Sequence, residues 1–320
     1  MSDFIAINAD KPRLWKTDIA ASVDQYNQWF LSFAPQAYQE TRSKTVVKVQ
    51  QDLEASDYLT QLTPAVLQSY PAILPTLRMS TAPPLARDRL VGLANVNKNL
   101  VQNLERGRLP AKMASDALYV SLTHICDVIN RLLDRDLFPW IETRHAPGET
   151  EQRRAATVVA DRLCGAVADP IIRNAQEERQ LGLISRYLTD KGYVQVQSNS
   201  FIALTDMQPG TFCFRRNVLV GGERQVHIPI DVIIQPPNHR PPQLPVFIET
   251  KSAGDFTNTN KRRKEEATKI HQLRAQYGQE TQLILFLCGY FNTAYLGYEA
   301  AEGLDWVWEH RIEDLSVLGI

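Results

Sequence analysis

Residues 229–256 read PIDVIIQPPNHRPPQLPVFIETKSAGDF, and two apolar runs in them decide the fold. The first carries Asp231 between Ile228 and Ile234; the second, PVFIETK, carries Glu249 and Lys251. In a strand, residues two apart share a face, so Glu249 and Lys251 point one way while Val246, Ile248 and Thr250 point the other. The apolar neighbours mark both runs as interior strands, where a lone carboxylate or ammonium is costly to bury. Two acids and a lysine at the ends of interior strands therefore call for a use.

One use fits each group. Asp231 and Glu249 are candidate ligands for a hard divalent cation, with the Thr250 backbone carbonyl and waters completing the shell. Such a site activates water and neutralises charge on a phosphodiester oxygen. Lys251 is then the charged assistant beside the nucleophile. The competing reading is a strand-edge salt bridge between Glu249 and Lys251. The triplet alone does not choose: with 36 acids and 11 lysines in 320 positions, composition gives about one acid-x-Lys, and one occurs. Its setting adds weight, since an apolar strand with its own Asp precedes it and a charged helix follows.

That helix is expected over about 260–277. From Lys261 to Arg274 it holds six Lys or Arg against two Glu, a local +4 in a chain whose net charge is -1. Ile270, Leu273 and Tyr277 form its packed stripe, leaving Arg262, Arg263, Lys269 and Arg274 for solvent or phosphate. Asp255, Thr257, Asn258, Thr259 and Asn260 before it, and Lys261, Arg262, Arg263, Lys264 and Lys269 in it, are candidate DNA contacts, although a solvated helix and a plain turn are the bland alternatives. Arg215 and Arg216 adjoin on a hairpin strand, so one of them at most shares a given face. Glu177 and Glu178, on the helix before the first strand, are possible accessory acids.

Outward from this segment, period-2 alternation predicts strands at Tyr193–Gln197, Thr211–Val220, Val226–Gln235, Val246–Lys251 and Thr281–Cys288, with a turn at Gly221-Gly222. Upstream the period is helical. Trp15 to Phe30 makes an amphipathic stripe, and further helices are expected at Thr41–Leu59, from Thr63-Pro64, at Leu118–Leu137, Thr157–Val167 and Ala175–Leu188. In STAPPLARDRLVGL, Arg87 and Arg89 follow a diproline and are minority candidates for phosphate contact. The segment 142–151, ETRHAPGETE, is the expected boundary between a helical region, 1–149, and an α/β core, 150–320.

Composition agrees with a folded chain: 44% hydrophobic and 22% charged residues exclude intrinsic disorder. Cys126, Cys164, Cys213 and Cys288 are far apart with no CxxC pair, so buried free thiols are expected rather than a zinc site or disulfides. No targeting segment or 18-residue apolar stretch is present, and a cytoplasmic location without membrane association follows as an expectation.

The Asp231 and Glu249-Thr250-Lys251 elements resemble the PD-(D/E)xK nuclease superfamily, with Ile230 where a proline usually precedes the aspartate. Together with NADKPRLWKTDIAASVDQYNQWF, TAPPLARDRLVGL and IETKSAGDFTNTNKRRKEEATK, the chain resembles the XamI family of type II restriction endonucleases. The resemblance implies a restriction-endonuclease-like core, a mixed β-sheet flanked by helices, beside a DNA-embracing or dimerising helical region. It implies Mg²⁺-dependent cleavage of both strands of a short palindrome (GTCGAC for the family prototype), 5′-phosphate ends, and Mn²⁺ as a substitute metal. A homodimer and a cognate DNA methyltransferase are the implied partners. A structure-selective repair nuclease and a non-catalytic DNA-binding protein are the rival functions.

Overall fold

The computed structural model describes residues 6–200, 203–221, 225–239, 243–257 and 259–320, and for 259–263 the backbone alone. Helices come first: α1 (Trp15–Ala55), α2 (Pro64–Ser69), α3 (Leu74–Met79), α4 (Arg87–Ala94), α5 (Lys98–Glu105), α6 (Ser115–Leu132), α7 (Trp140–Thr143) and α8 (Glu149–Asp190). Then follow β1 (Val194–Gln195), β2 (Thr211–Val220), β3 (Val226–Gln235), β4 (Val246–Ala253), α9 (Thr259–Tyr277), β5 (Leu283–Gly289), α10 (Thr293–Ala301) and β6 (Asp305–Trp308). The protein is α/β, with a mixed six-stranded sheet in the order β1-β2-β3-β4-β5-β6. The β2–β3 and β3–β4 pairs are antiparallel; β1–β2, β4–β5 and β5–β6 are parallel.

Several elements differ from expectation for local reasons. The helices expected at 15–30 and 41–59 are one, α1, which runs through Pro35. Those expected at 157–167 and 175–188 are likewise one, α8, which runs through Pro170. An interior proline removes one helical hydrogen bond at about 3 kcal/mol. Buried residues lie on either side, Ser22 and Val49 in α1 and Cys164 and Leu181 in α8. The helix expected to reach Leu137 stops at Leu132, where Ala82 N donates to the Leu132 carbonyl and an isolated bridge pairs Thr81 with Leu133. Neither α10 nor β6 was legible: β6 has four residues, all buried, and so shows no alternation.

The sheet's two faces sort by residue parity. Val232, Ile234, Val246 and Ile248 pack with Leu181, Ile184 and Leu188 of α8. Ile233 and Phe247 pack with Ile270 and Leu273 of α9, joined by Ile230, which precedes Asp231 and is off that parity. Glu249 and Lys251 share the parity of Phe247, so the alternation turns them toward α9. On β5 and β6, Leu285, Leu287, Trp306 and Trp308 form a further cluster with Phe291, Tyr295 and Leu296.

The chain forms two compact units. One comprises residues 1–33 and 173–320, and the other Ala34–Ile172. The second is all helical, its core built from Leu53, Leu67, Leu77, Leu90, Val101, Leu122, Ile129 and Trp140. In the first, the N-terminal segment is tied to β6: the backbone amides of Ile7, Asn8 and Ala9 donate to the buried Asp305 carboxylate at 2.5, 2.9 and 3.0 Å. Asn8 Nδ2 also donates to the Trp306 carbonyl at 2.9 Å. No described helix is long and apolar enough to cross a membrane, and the four cysteines are free and buried.

Gly289 closes β5 where it meets the end of β4. Its φ of +103° is a glycine conformation, and a Cβ there would stand 2.2 Å from the Ala253 carbonyl oxygen. Its amide donates to Ser22 Oγ at 2.7 Å. Gly289→Ala is expected to lower unfolding free energy by about 2 kcal/mol or more, read by urea denaturation; an unchanged midpoint would refute this account of the strand end.

Candidate active site

The β3–β4 ladder pairs Ile234 with Val246, Ile233 with Phe247 and Val232 with Ile248. One further step of that register would set Asp231 opposite Glu249, and there the ladder stops. The Thr250 amide donates instead to Asp231 Oδ2 at 2.8 Å, and the Thr250 hydroxyl donates to the same oxygen at 2.9 Å. The sheet also opens on the other side of Asp231. β2–β3 pairs Phe214 with Val232 and Arg216 with Ile230 and skips Arg215, whose φ is +52°. That left-handed conformation costs a non-glycine residue about 1–2 kcal/mol.

Glu249 is 7% exposed. Its Oε1 lies 2.8 Å from Lys269 Nζ and 3.4 Å from Lys251 Nζ, while its buried Oε2 accepts no hydrogen bond. Lys269 Nζ also donates to the Pro229 carbonyl at 2.8 Å. Burial pushes the Glu249 carboxyl above its ordinary range; the Lys251 charge opposes this, Asp231 adds to it, and Lys269 opposes it. Burial pulls the Lys251 ammonium down, but Glu249, Glu266 and Asp231 together outweigh it and raise its pKa. The charges of Asp231, Glu249 and Lys251 are thus mutually felt.

Behind Lys251 stand two acids that the sequence reading did not single out. Lys251 Nζ is 2.9 Å from Glu266 Oε1 of α9, and Glu266 is 1% exposed. That is an ion-pair distance, although neither Glu266 oxygen receives a well-directed hydrogen bond. Glu299 of α10 is fully buried. Burial pushes its carboxyl up to about 8, Glu266 adding and Tyr295 opposing. A sequence signal for Glu266 existed: it precedes Ile270, Leu273 and Tyr277 at helical steps and so falls on the packed stripe.

Among the described residues, no group of three or more His, Cys, Asp or Glu side chains is arranged to hold a metal. Asp231 and Glu249 nevertheless offer two hard carboxylates, and Glu249 Oε2 is a buried acceptor without a hydrogen bond. Mg²⁺ takes one or two protein carboxylates and fills its remaining positions with water, so this donor set fits it.

The other expected residues are distributed as follows. Glu177 and Glu178 bind Arg215: its Nη2 lies 2.8 Å from Glu177 Oε1 and 2.5 Å from Glu178 Oε1. Arg216 donates to the Ser198 carbonyl. Arg215, Glu178, Phe214 and Leu181 line a cavity of about 260 Å³. Asp255 accepts from the Thr257 amide at 2.8 Å in an exposed turn, and Lys264 is exposed. Asn258 lies outside the described residues; Thr259, Asn260, Lys261, Arg262 and Arg263 form the first turns of α9, their side chains outside the described set. In the helical unit, Arg87 pairs with Glu105 at 2.6 Å and Arg89 is exposed. Arg274, expected on the solvent side, instead donates to the Gly303 carbonyl at 2.9 Å, because α9 turns that edge toward the loop after α10.

The raised Glu299 pKa makes a signed prediction. Between about pH 4.5 and 8 the folded protein holds a proton there that the unfolded chain has lost, so this group lowers stability as pH rises through that window. Glu299→Gln is expected to flatten the stability–pH slope between those limits and to stabilise the fold at pH 8 by on the order of 3 kcal/mol. Urea melts at several pH values check it; identical slopes for the two proteins would contradict the assignment.

Comparison with known proteins bears on what this arrangement serves. The sequence model of the XamI restriction endonuclease family matches residues 57–308. The chain is 58% identical over 314 residues to the type II restriction enzyme SalI of Streptomyces albus G, covering 98% of this chain and 99% of that one. The crystal structure of protein VC1899 from Vibrio cholerae covers 89% of this chain and 55% of its own at 14% identity, with a TM-score of 0.29, too low to bear on fold or function. With its family matched across both the helical region and the sheet, the chain belongs to the XamI family of restriction endonucleases.

Proposed function

We propose that the protein is a type II enzyme that hydrolyses both strands of duplex DNA at a short palindrome with Mg²⁺, Mn²⁺ substituting, and leaves 5′-phosphate and 3′-hydroxyl ends. The single observation that supports it most is the convergence of Asp231, Glu249 and Lys251 where the β3–β4 ladder opens. GTCGAC is the target to assay first, given the near-full-length likeness to SalI.

Asp231 and Glu249 would hold the metal together with the Thr250 carbonyl. When bound, Mg²⁺ supplies Lewis-acid charge at a phosphodiester oxygen and lowers the pKa of a water. Thr250 fixes Asp231 Oδ2 with two hydrogen bonds and so restricts the rotation of that carboxylate. Lys251 would place a positive charge beside the attacked phosphate, orient the nucleophilic water and stabilise the charge that builds on phosphorus. Lys269 holds Glu249 Oε1 and so restricts the carboxylate's rotation.

DNA contacts fall to the loop and first turns after β4: Asp255, Thr257, Asn258, Thr259, Asn260, Lys261, Arg262, Arg263 and Lys264. Arg215, Arg216, Arg87 and Arg89 are further candidates for phosphate, and Glu177 and Glu178 occupy Arg215 until phosphate replaces them. The division into a helical region, 1–149, that embraces DNA or dimerises, and a nuclease core, 150–320, belongs to the same reading. A twofold homodimer suits a palindrome, each copy cutting one strand. A methyltransferase of the same target would protect host DNA.

Two measurements decide this. With Mg²⁺ and unmethylated plasmid, discrete bands are expected from the wild type, and Asp231→Asn, Glu249→Ala and Lys251→Ala are each expected to slow cutting by about 100-fold or more; undiminished cutting by these variants would remove the site assignment. Separately, DNA affinity should fall steeply with added salt, and Lys264→Ala should lower the slope of log K against log salt by about 1. Binding indifferent to salt would sink the phosphate-contact reading.

A further inference from the structure

The ammonium of Lys251 has two carboxylate neighbours, and they are not equivalent. Glu249, at 3.4 Å, lies on the same strand; Glu266, at 2.9 Å, comes from the helix that covers the sheet. On the reading above, Glu249 commits its oxygens to a metal, and its Oε1 is already shared with Lys269. Glu266 is then the counter-ion left to Lys251. It is 1% exposed, and no other described cation lies within ion-pair distance of it. A carboxylate buried this deeply is strongly unfavourable unless a charge faces it, and Lys251 is that charge.

We propose that Glu266 is a positioning residue that fixes the Lys251 ammonium for phosphodiester cleavage. The proposal rests on the assignment of Lys251 as the assisting cation. Lys251 is paired with Glu266, and Lys269 with Glu249. Loading the site with metal then changes the surroundings of Glu249 and leaves the Lys251–Glu266 pair in place. Lys251 thereby keeps its aim when DNA arrives.

Glu266→Gln keeps the shape of the side chain and removes its charge. Under single-turnover conditions with saturating GTCGAC duplex and Mg²⁺, it is expected to cut about 10–100-fold more slowly than wild type, while the KM for DNA changes less than threefold. A residue that acts only through Lys251 adds nothing once Lys251 is gone. The double variant Lys251→Ala/Glu266→Gln should therefore cut at the rate of Lys251→Ala alone, followed to long times on end-labelled duplex. Should Glu266→Gln not fold, Glu266→Asp replaces it; it retracts the charge by one methylene, and its smaller loss should likewise vanish without Lys251. Wild-type rates for Glu266→Gln, or losses that multiply in the double variant, would overturn the positioning role while leaving the site intact. Full cutting by Lys251→Ala would instead overturn the site assignment itself.

Discussion

The arrangement depends on one substitution in a hydrogen-bond ladder. Where β3 and β4 would next pair, the Asp231 carboxylate takes the Thr250 amide and hydroxyl in place of a backbone partner. The strands can separate there without leaving the Thr250 amide unpaired, which an ordinary fraying of two interior strands would do. The opening lets Glu249 and Lys251 project from a strand whose preceding residues are wholly buried. Arg215, left-handed in β2 at the same row, interrupts the pairing on the other side for one residue. Strained conformations of that kind persist where surrounding structure over-determines them; here the fixed pairs at 214 and 216 do so.

Charge is the second constraint. Five ionisable side chains, Asp231, Glu249, Glu266, Lys251 and Lys269, gather within one sheet–helix layer, with the buried Glu299 beside them. Ion pairs in such a setting add little net stability, since desolvation offsets the attraction. Removing one member of a pair, by contrast, strands its partner. The layer is thus a poor stabiliser and a good device for holding an ammonium and two carboxylates at fixed positions, as the cleavage proposed above would need.

The remaining parts of the sheet unit supply rigidity. Asp305 gathers three consecutive N-terminal amides and so pins residues 7–9 to β6. Trp15 Nε1 donates to the Asn8 carbonyl at 3.0 Å and continues the connection into α1. The NADKPRLWK segment therefore ties the start of this unit to its sheet. Arg179 reinforces the same side, pairing with the buried Glu309 and lying over the Trp29 ring at 5.6 Å.

By itself the sequence determined what depends on local periodicity. Strands β2 and β3 fall on the expected residues, β4 begins where predicted, and the facing of Glu249 and Lys251 follows from the two-residue repeat. It overcounted helices at Pro35 and Pro170, because a proline's local penalty is visible in sequence and the packing that overrides it is not. It missed β6 because four buried residues carry no alternation. Only the tertiary structure decided which charges meet. Glu266, Lys269 and Glu299 lie 15, 18 and 48 positions beyond Lys251; helical steps place Glu266 on the packed stripe of α9, but nothing local marks Lys269 or Glu299 as meeting the same site. Two crossover helices, α9 and α10, folding back over the sheet bring them to the same ammonium and carboxylate.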